Sequence, residues 1–175
     1  MLSRLTRFLL VAISCLTVTF AQAQIIQSLG ALERGKSVLE FYEAAVVNPQ
    51  QVLLLSLEIH NLYLSTPSRY KDLSNDVAEK MGLFNKGPLG LEYIELRPEP
   101  SPGSQYGYFS ITLKKLKFKQ CEVLANYTPL SHIFVRVELN GSPIFSNASP
   151  QQAVAVCKSE SFFQDGKNEL KYVAY

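Results

Sequence analysis

Two cysteines, two histidines and a cluster of lysines are the residues of this chain whose types and spacing could do chemistry. Cys121 and Cys157 stand in the second half, and the third cysteine, Cys15, lies in an apolar N-terminal run. Once that run is removed by export, an even pair of thiols reaches an oxidising compartment, where a disulfide forms and persists. Such a bridge closes a loop of about 36 residues and is worth up to roughly 4 kcal/mol by the chain-entropy argument. Catalysis has less to work with. His60 sits in an apolar helical stretch beside Asn61, and His132 follows Ser131 at the opening of a strand. A Ser-His-acid set would call for a nucleophile elbow, and no such string is present. Both histidines therefore read as structural. Neither His-x-x-x-His nor Cys-x-x-Cys occurs, and no glycine-rich phosphate loop is found, so no metal and no cofactor are expected. The chain reads as a non-enzyme.

Lys114, Lys115, Lys117 and Lys119 form a dense basic run with Leu116 and Phe118 interleaved. One reading is a docking surface for an acidic partner. The other is a solvated strand edge on which lysines discourage edge-to-edge pairing. Tyr106, Tyr108 and Phe109, with Phe162 and Phe163 further on, form either an exposed aromatic contact patch or core residues at strand ends. Asn126-Tyr127-Thr128 and Asn147-Ala148-Ser149 match the glycosylation pattern, which has meaning only in a secreted eukaryotic protein.

Residues 1–23 have the three parts of a secretory signal: Arg4 and Arg7, the apolar run Phe8 to Phe20, and Ala21-Gln22-Ala23 as a small-x-small cleavage site. The run is too short to span a bilayer, which takes about 20 residues. Cleavage is expected after Ala23, with lipidation at Cys15 as the competing reading. The whole chain is formally +2. Loss of the two signal arginines brings the remainder close to neutral, which argues against nucleic acid or an anionic membrane as the main partner. Residues 24–175 are enough for one domain with a real core.

The elements that must position these residues follow from periodicity. Ile25, Ile26, Leu29 and Leu32 recur at helical spacing, as do Val38, Leu39, Tyr42, Ala45 and Val46. A fresh helix starts at Asn48-Pro49-Gln50-Gln51, with Asn48 as cap and Gln51 as capping-box partner. It carries Val52, Leu53, Leu55, Ile59, Leu62 and Tyr63, and an apolar helix of this kind needs a large packing partner, most simply a sheet. Ser74 or Asn75 caps a short helix bearing Val77, Ala78 and Met81 that stops at Gly82, and Asn85-Lys86-Gly87-Pro88 is a turn. Leu91–Leu96 and Tyr108–Leu113 read as antiparallel strands flanking a Pro/Gly-rich loop from Pro98 to Gly107. Gln120–Asn126 is a short helix bearing Cys121. Ile133–Leu139 is a strand ending in the turn Asn140-Gly141. A second capping box, Ser149 to Gln152, opens a helix carrying Ala153, Val156 and Cys157, and Leu170–Tyr175 closes the chain as a strand. Helices first and strands later predict an α+β domain, its N-terminal helix packed on a mostly antiparallel sheet.

This layout resembles the type IVb pilins and pilin-like subunits of bacterial type IV pili. The resemblance runs from Pro49 to Tyr175. It rests on the Pro49–Tyr63 helix followed by Ser68-Arg69-Tyr70-Lys71-Asp72-Leu73, then Ser110-Ile111-Thr112-Leu113, Cys121-Glu122-Val123-Leu124 and Val135 to Gly141. Ala153-Val154-Ala155-Val156-Cys157 and Asn168-Glu169-Leu170-Lys171-Tyr172 complete it. It implies that Cys121 and Cys157 bound a disulfide-closed C-terminal region and that the final strand inserts within the sheet. The opening departs from the family's pattern. No glycine precedes the apolar run, and the run ends at an ordinary cleavage site, so the retained membrane-spanning helix is not expected. The expectation is an exported, periplasmic or secreted pilin-like domain whose partners are protein subunits of a pilus, secretion or conjugation apparatus. The rival expectation is a small periplasmic enzyme or ligand-binding protein of similar architecture.

Overall fold

The computed structural model describes residues 36–85, 92–126, 133–144, 150–161 and 164–175, all within one compact unit, Arg34–Tyr175. The expected helix over 25–32, the turn at 86–88, His132, the cap Ser149, and Phe162 with Phe163 lie outside the described residues. The elements run α1 (Val38–Val47), α2 (Gln50–Tyr63), α3 (Asn75–Lys80), β1 (Ile94–Ser101), β2 (Ser104–Leu116), α4 (Phe118–Ala125), β3 (Phe134–Leu139), β4 (Ser142–Pro143), α5 (Pro150–Val154) and β5 (Asn168–Ala174). The fold is α+β. Its five strands pair antiparallel in the order β1-β2-β5-β3-β4, which puts the last strand at the centre.

Local chemistry sets the helix starts. Ser37 and Glu40 form a reciprocal capping box at α1, with Glu40 N–H donating to Ser37 Oγ and Ser37 N–H to the Glu40 carboxylate. At α2, Asn48 Oδ1 accepts from Gln50 N–H at 3.2 Å, and no capping box with Gln51 forms. Ser74 caps α3, and Gly82 turns the chain away at φ 76°. The buried face of α2 is Val52, Leu55, Ser56, Ile59 and Tyr63. Leu62, expected on that face, is exposed because it sits one step out of phase with the Ile59–Tyr63 line.

β1 and β2 are longer than the sequence pattern suggested, and the expected loop from Pro98 to Gly107 is mostly strand. A single tight turn at Pro102-Gly103, with Gly103 at φ 80°, joins β1 to β2. Two prolines are tolerated because β1 is an edge strand. Asn75 shows which backbone groups face outward there. Its Nδ2 donates to the Ile94 carbonyl (2.8 Å) and its Oδ1 accepts from Leu96 N–H (2.7 Å). Pro98 shares the phase of Leu96, so its missing N–H removes no ladder bond, and Pro100 falls at the register shift between Glu99 and Ser101. One amide side chain and two prolines thereby blunt this edge.

Alternation along the strands separates two faces. Ile94, Leu96, Phe109, Ile111, Leu113, Val137, Leu139, Leu170, Tyr172 and Ala174 are all buried and stand in register with one another. Glu95, Arg97, Glu99, Lys114, Arg136, Glu138 and Lys171 point the other way. At the far end of β2 the register shifts between Leu113 and Leu116, with Lys115 at φ 56°. Gly166 passes directly over this bulge. A Cβ there would stand 2.1 Å from the Lys115 carbonyl oxygen and 2.3 Å from Leu116 C, backbone atoms that cannot step aside. Gly166→Ala should therefore cost about 1–3 kcal/mol through overpacking, measured by urea denaturation. Unchanged stability would show that the 164–168 segment stands off the bulge.

Candidate functional site

The C-terminal region carries a convergent set of specific bonds. Cys121 on α4 is fully buried and bridges to Cys157, with the two Cα atoms 5.9 Å apart. The helix expected to carry Cys157 ends earlier, at Val154, and Cys157 lies on the turn beyond it, its N–H donating to the Val154 carbonyl. Next to the bridge, the Glu160 carboxylate accepts from Phe118 N–H at 2.9 and 3.0 Å, satisfying an orphan donor at the start of α4.

Two asparagines complete the arrangement. Asn168 is 1% exposed. Its Oδ1 accepts from Lys158 N–H (2.6 Å) and from Asn140 Nδ2 (2.9 Å), while its Nδ2 donates to the carbonyls of Lys158 (2.9 Å) and Leu116 (3.1 Å). The side chain thus pairs with both backbone groups of Lys158 as a strand would. Asn140, in the left-handed region at φ 52°, donates from Nδ2 to the Val156 carbonyl (2.8 Å) and accepts at Oδ1 from Glu169 N–H (2.9 Å). Asn140-Gly141 was legible as a turn, but neither side chain was legible as a lock. The available signal was Asn168 itself, a residue depleted in strands at the mouth of a β-rich segment, where side-chain bonding to backbone is the usual reason.

Three of the four lysines have acidic partners. Lys114 pairs with Glu95 at 2.6 Å, Lys115 with Glu92 and more distantly with Asp165 (3.8 Å), and Lys119 with Glu122 at 2.6 Å. At Lys117 the backbone N–H donates to Gln120 Oε1, a cap for α4. Burial raises the Glu95 carboxyl, but the bonds from Lys114 and Arg97 outweigh it and hold it below its ordinary range. The Glu92 bond raises the Lys115 ammonium. Lys171 continues this network, 2.6 Å from Glu99, which also accepts from Ser110 Oγ. Of the aromatic candidates, Tyr106 and Tyr108 are half-buried on β2, whereas Phe109 is fully buried with its ring 4.7 Å from that of Tyr70.

His60 Nδ1 lies 2.7 Å from the Tyr175 carbonyl and 3.0 Å from the Tyr70 hydroxyl. A carbonyl accepts only from an N–H, so the ring carries a proton on Nδ1 and acts as a tether for the end of β5. Burial pushes the hydroxyls of Tyr42 and Tyr63 upward, reinforced by Tyr93 and Asp72 respectively, so neither is set up to ionise. An open cavity of about 360 Å³ lies along the β1 edge, lined by Asn75, Asp76, Glu95, Arg97 and Lys114 among others. Among the described residues there is no group of three or more His, Cys, Asp or Glu able to hold a metal, and no helix long and apolar enough to cross a membrane.

The asparagine lock gives a signed prediction. Asn168→Ala removes four bonds from a buried site and should cost about 3 kcal/mol. Asn168→Asp should cost more at neutral pH, because it buries a charge and sets a second oxygen against two carbonyls. Burial raises the folded-state pKa of such an acid, so its stability deficit is largest above that value and shrinks as pH falls. Thermal melts between neutral and acid pH check this, and an Asn168→Asp protein as stable as the parent at neutral pH would contradict the geometry.

Comparison with protein-family models, curated proteins and solved structures found no match for the chain.

Proposed function

We propose that this chain is an exported, non-enzymatic pilin-like interaction module, an accessory component of a bacterial type IV pilus, secretion or conjugation system. The observation that carries the proposal is the placing of β5. The chain's last strand lies between β2 and β3, and the preceding segment is closed by Cys121–Cys157. A last strand at the sheet centre couples the β1–β2 hairpin to β3 and β4 in one sheet, as suits a subunit that transmits load to neighbours. In this module α2 packs across the sheet. Supporting it, the rings of Tyr63, Tyr70 and Phe109 form a chain from α2 to β2, and His60 reaches the end of β5. On this reading the signal is cleaved after Ala23, the domain acts in the periplasm or outside the cell, and its contacts are protein surfaces. Tyr106, Tyr108 and the lysines at 114–119, together with Phe162 and Phe163, are the proposed contact region. The second reading, a ligand-binding protein, draws on the open cavity beside Asn75.

A photo-crosslinking amino acid placed at Tyr108 or Lys119 tests the proposal in the native cell. The expected result is a mature protein beginning at Gln24, with adducts to subunits of a filament or secretion apparatus. A chain retained uncut in the cytoplasm, or adducts confined to unrelated soluble proteins, would contradict it.

A further inference from the structure

The lock and the turn meet at Asn140-Gly141, and that dipeptide carries a labile bond. In an Asn-Gly pair no Cβ on the second residue screens its backbone nitrogen. The Gly141 nitrogen can lose its proton and attack the side-chain Cγ of Asn140, closing a succinimide ring and expelling ammonia. Water then opens the ring at either carbonyl, leaving aspartate or isoaspartate. Gly141 is exposed and Asn140 half-buried, so water reaches the turn.

The folded geometry opposes the first step. Attack requires the Asn140 Cγ to swing onto the Gly141 nitrogen, and three bonds hold it elsewhere: Oδ1 to Glu169 N–H, and Nδ2 to the Val156 carbonyl and to Asn168 Oδ1. Both Nδ2 protons are thus committed. Two of the three partners depend on the segment the disulfide anchors. Val156 is the neighbour of Cys157, and Asn168 is oriented by both backbone groups of Lys158 on the other side.

We infer that Asn140 is a latent deamidation site held shut by its amide bonds to Asn168 and Val156, which the Cys121–Cys157 bridge anchors, so that opening the bridge exposes it to conversion. The conversion is one-way. The product oxygen would stand where Nδ2 stood, facing the Val156 carbonyl and Asn168 Oδ1, two acceptors with no donor between them. Isoaspartate would also add a backbone atom to a two-residue turn whose φ values are set at 52° and 79°. A chain whose bridge has opened is thereby marked irreversibly.

The test compares conversion at Asn140 in the purified oxidised chain, the reduced and alkylated chain, and the urea-unfolded chain, by peptide mapping with isoaspartate detection. The oxidised chain should convert more than about tenfold more slowly than the unfolded one, since protection follows the local opening equilibrium. The reduced chain should approach the unfolded rate. If reduction unfolds the protein, Asn168→Ala with its bridge intact and its circular dichroism preserved decides, and it should convert faster than the parent. Conversion of the oxidised chain at the unfolded rate would overturn the inference. So would a folded reduced chain, or a folded Asn168→Ala chain, as well protected as the parent.

Discussion

The buried amide of Asn168 is the interaction on which the C-terminal half depends. Four elements converge on it: the end of β2 through Leu116, the β3–β4 turn through Asn140, the post-bridge segment through Lys158, and β5, which carries it. A buried polar group is costly unless fully bonded, so the site stabilises the fold only when all four elements are in place. That all-or-none character is what lets a segment with little regular structure lie against the sheet. The disulfide and the Glu160–Phe118 bond act on the same segment from the other side, lowering the entropy lost when Lys158 finds its partner.

The β1 edge of the sheet is closed locally. At β1 the outward Ile94 carbonyl and Leu96 N–H are taken by Asn75, and Pro98 has no N–H to offer, which discourages another strand from adding there. The charged face works through register. Glu95 stands opposite Thr112 beside Lys114, and Glu138 stands opposite Lys171, so opposite signs meet across strands. On this face the charges are paired locally, Lys114 with Glu95 and Lys171 with Glu99.

What the sequence made legible was local. Cysteine parity pointed to the bridge, Ser74 and Gly82 to the limits of α3, and alternation to the cores of β2, β3 and β5. What stayed hidden depended on partners distant in the chain. Pro98 and Pro100 read as loop until the edge position of β1 showed that no ladder bond was lost. The acidic partners of Lys114, Lys115 and Lys119 were hidden because Glu95, Glu92 and Glu122 reach them only once the strands and α4 are laid down. Leu62 fell off the expected face by one helical step. Asn168 and Asn140 are 28 residues apart, and nothing in either neighbourhood shows that their amides meet.

The most direct test of the account is native-state hydrogen exchange at the Lys158 amide, whose acceptor is the Asn168 side chain rather than any backbone group. If the asparagine lock organises this region, that amide in the parent protein exchanges as slowly as the β5 amides of Leu170 and Tyr172. Asn168→Ala then brings it to the rate of an open loop with the disulfide still intact. A Lys158 amide that exchanges at the loop rate in the parent, or stays protected without Asn168, would show that the disulfide alone holds the segment and would contradict the account.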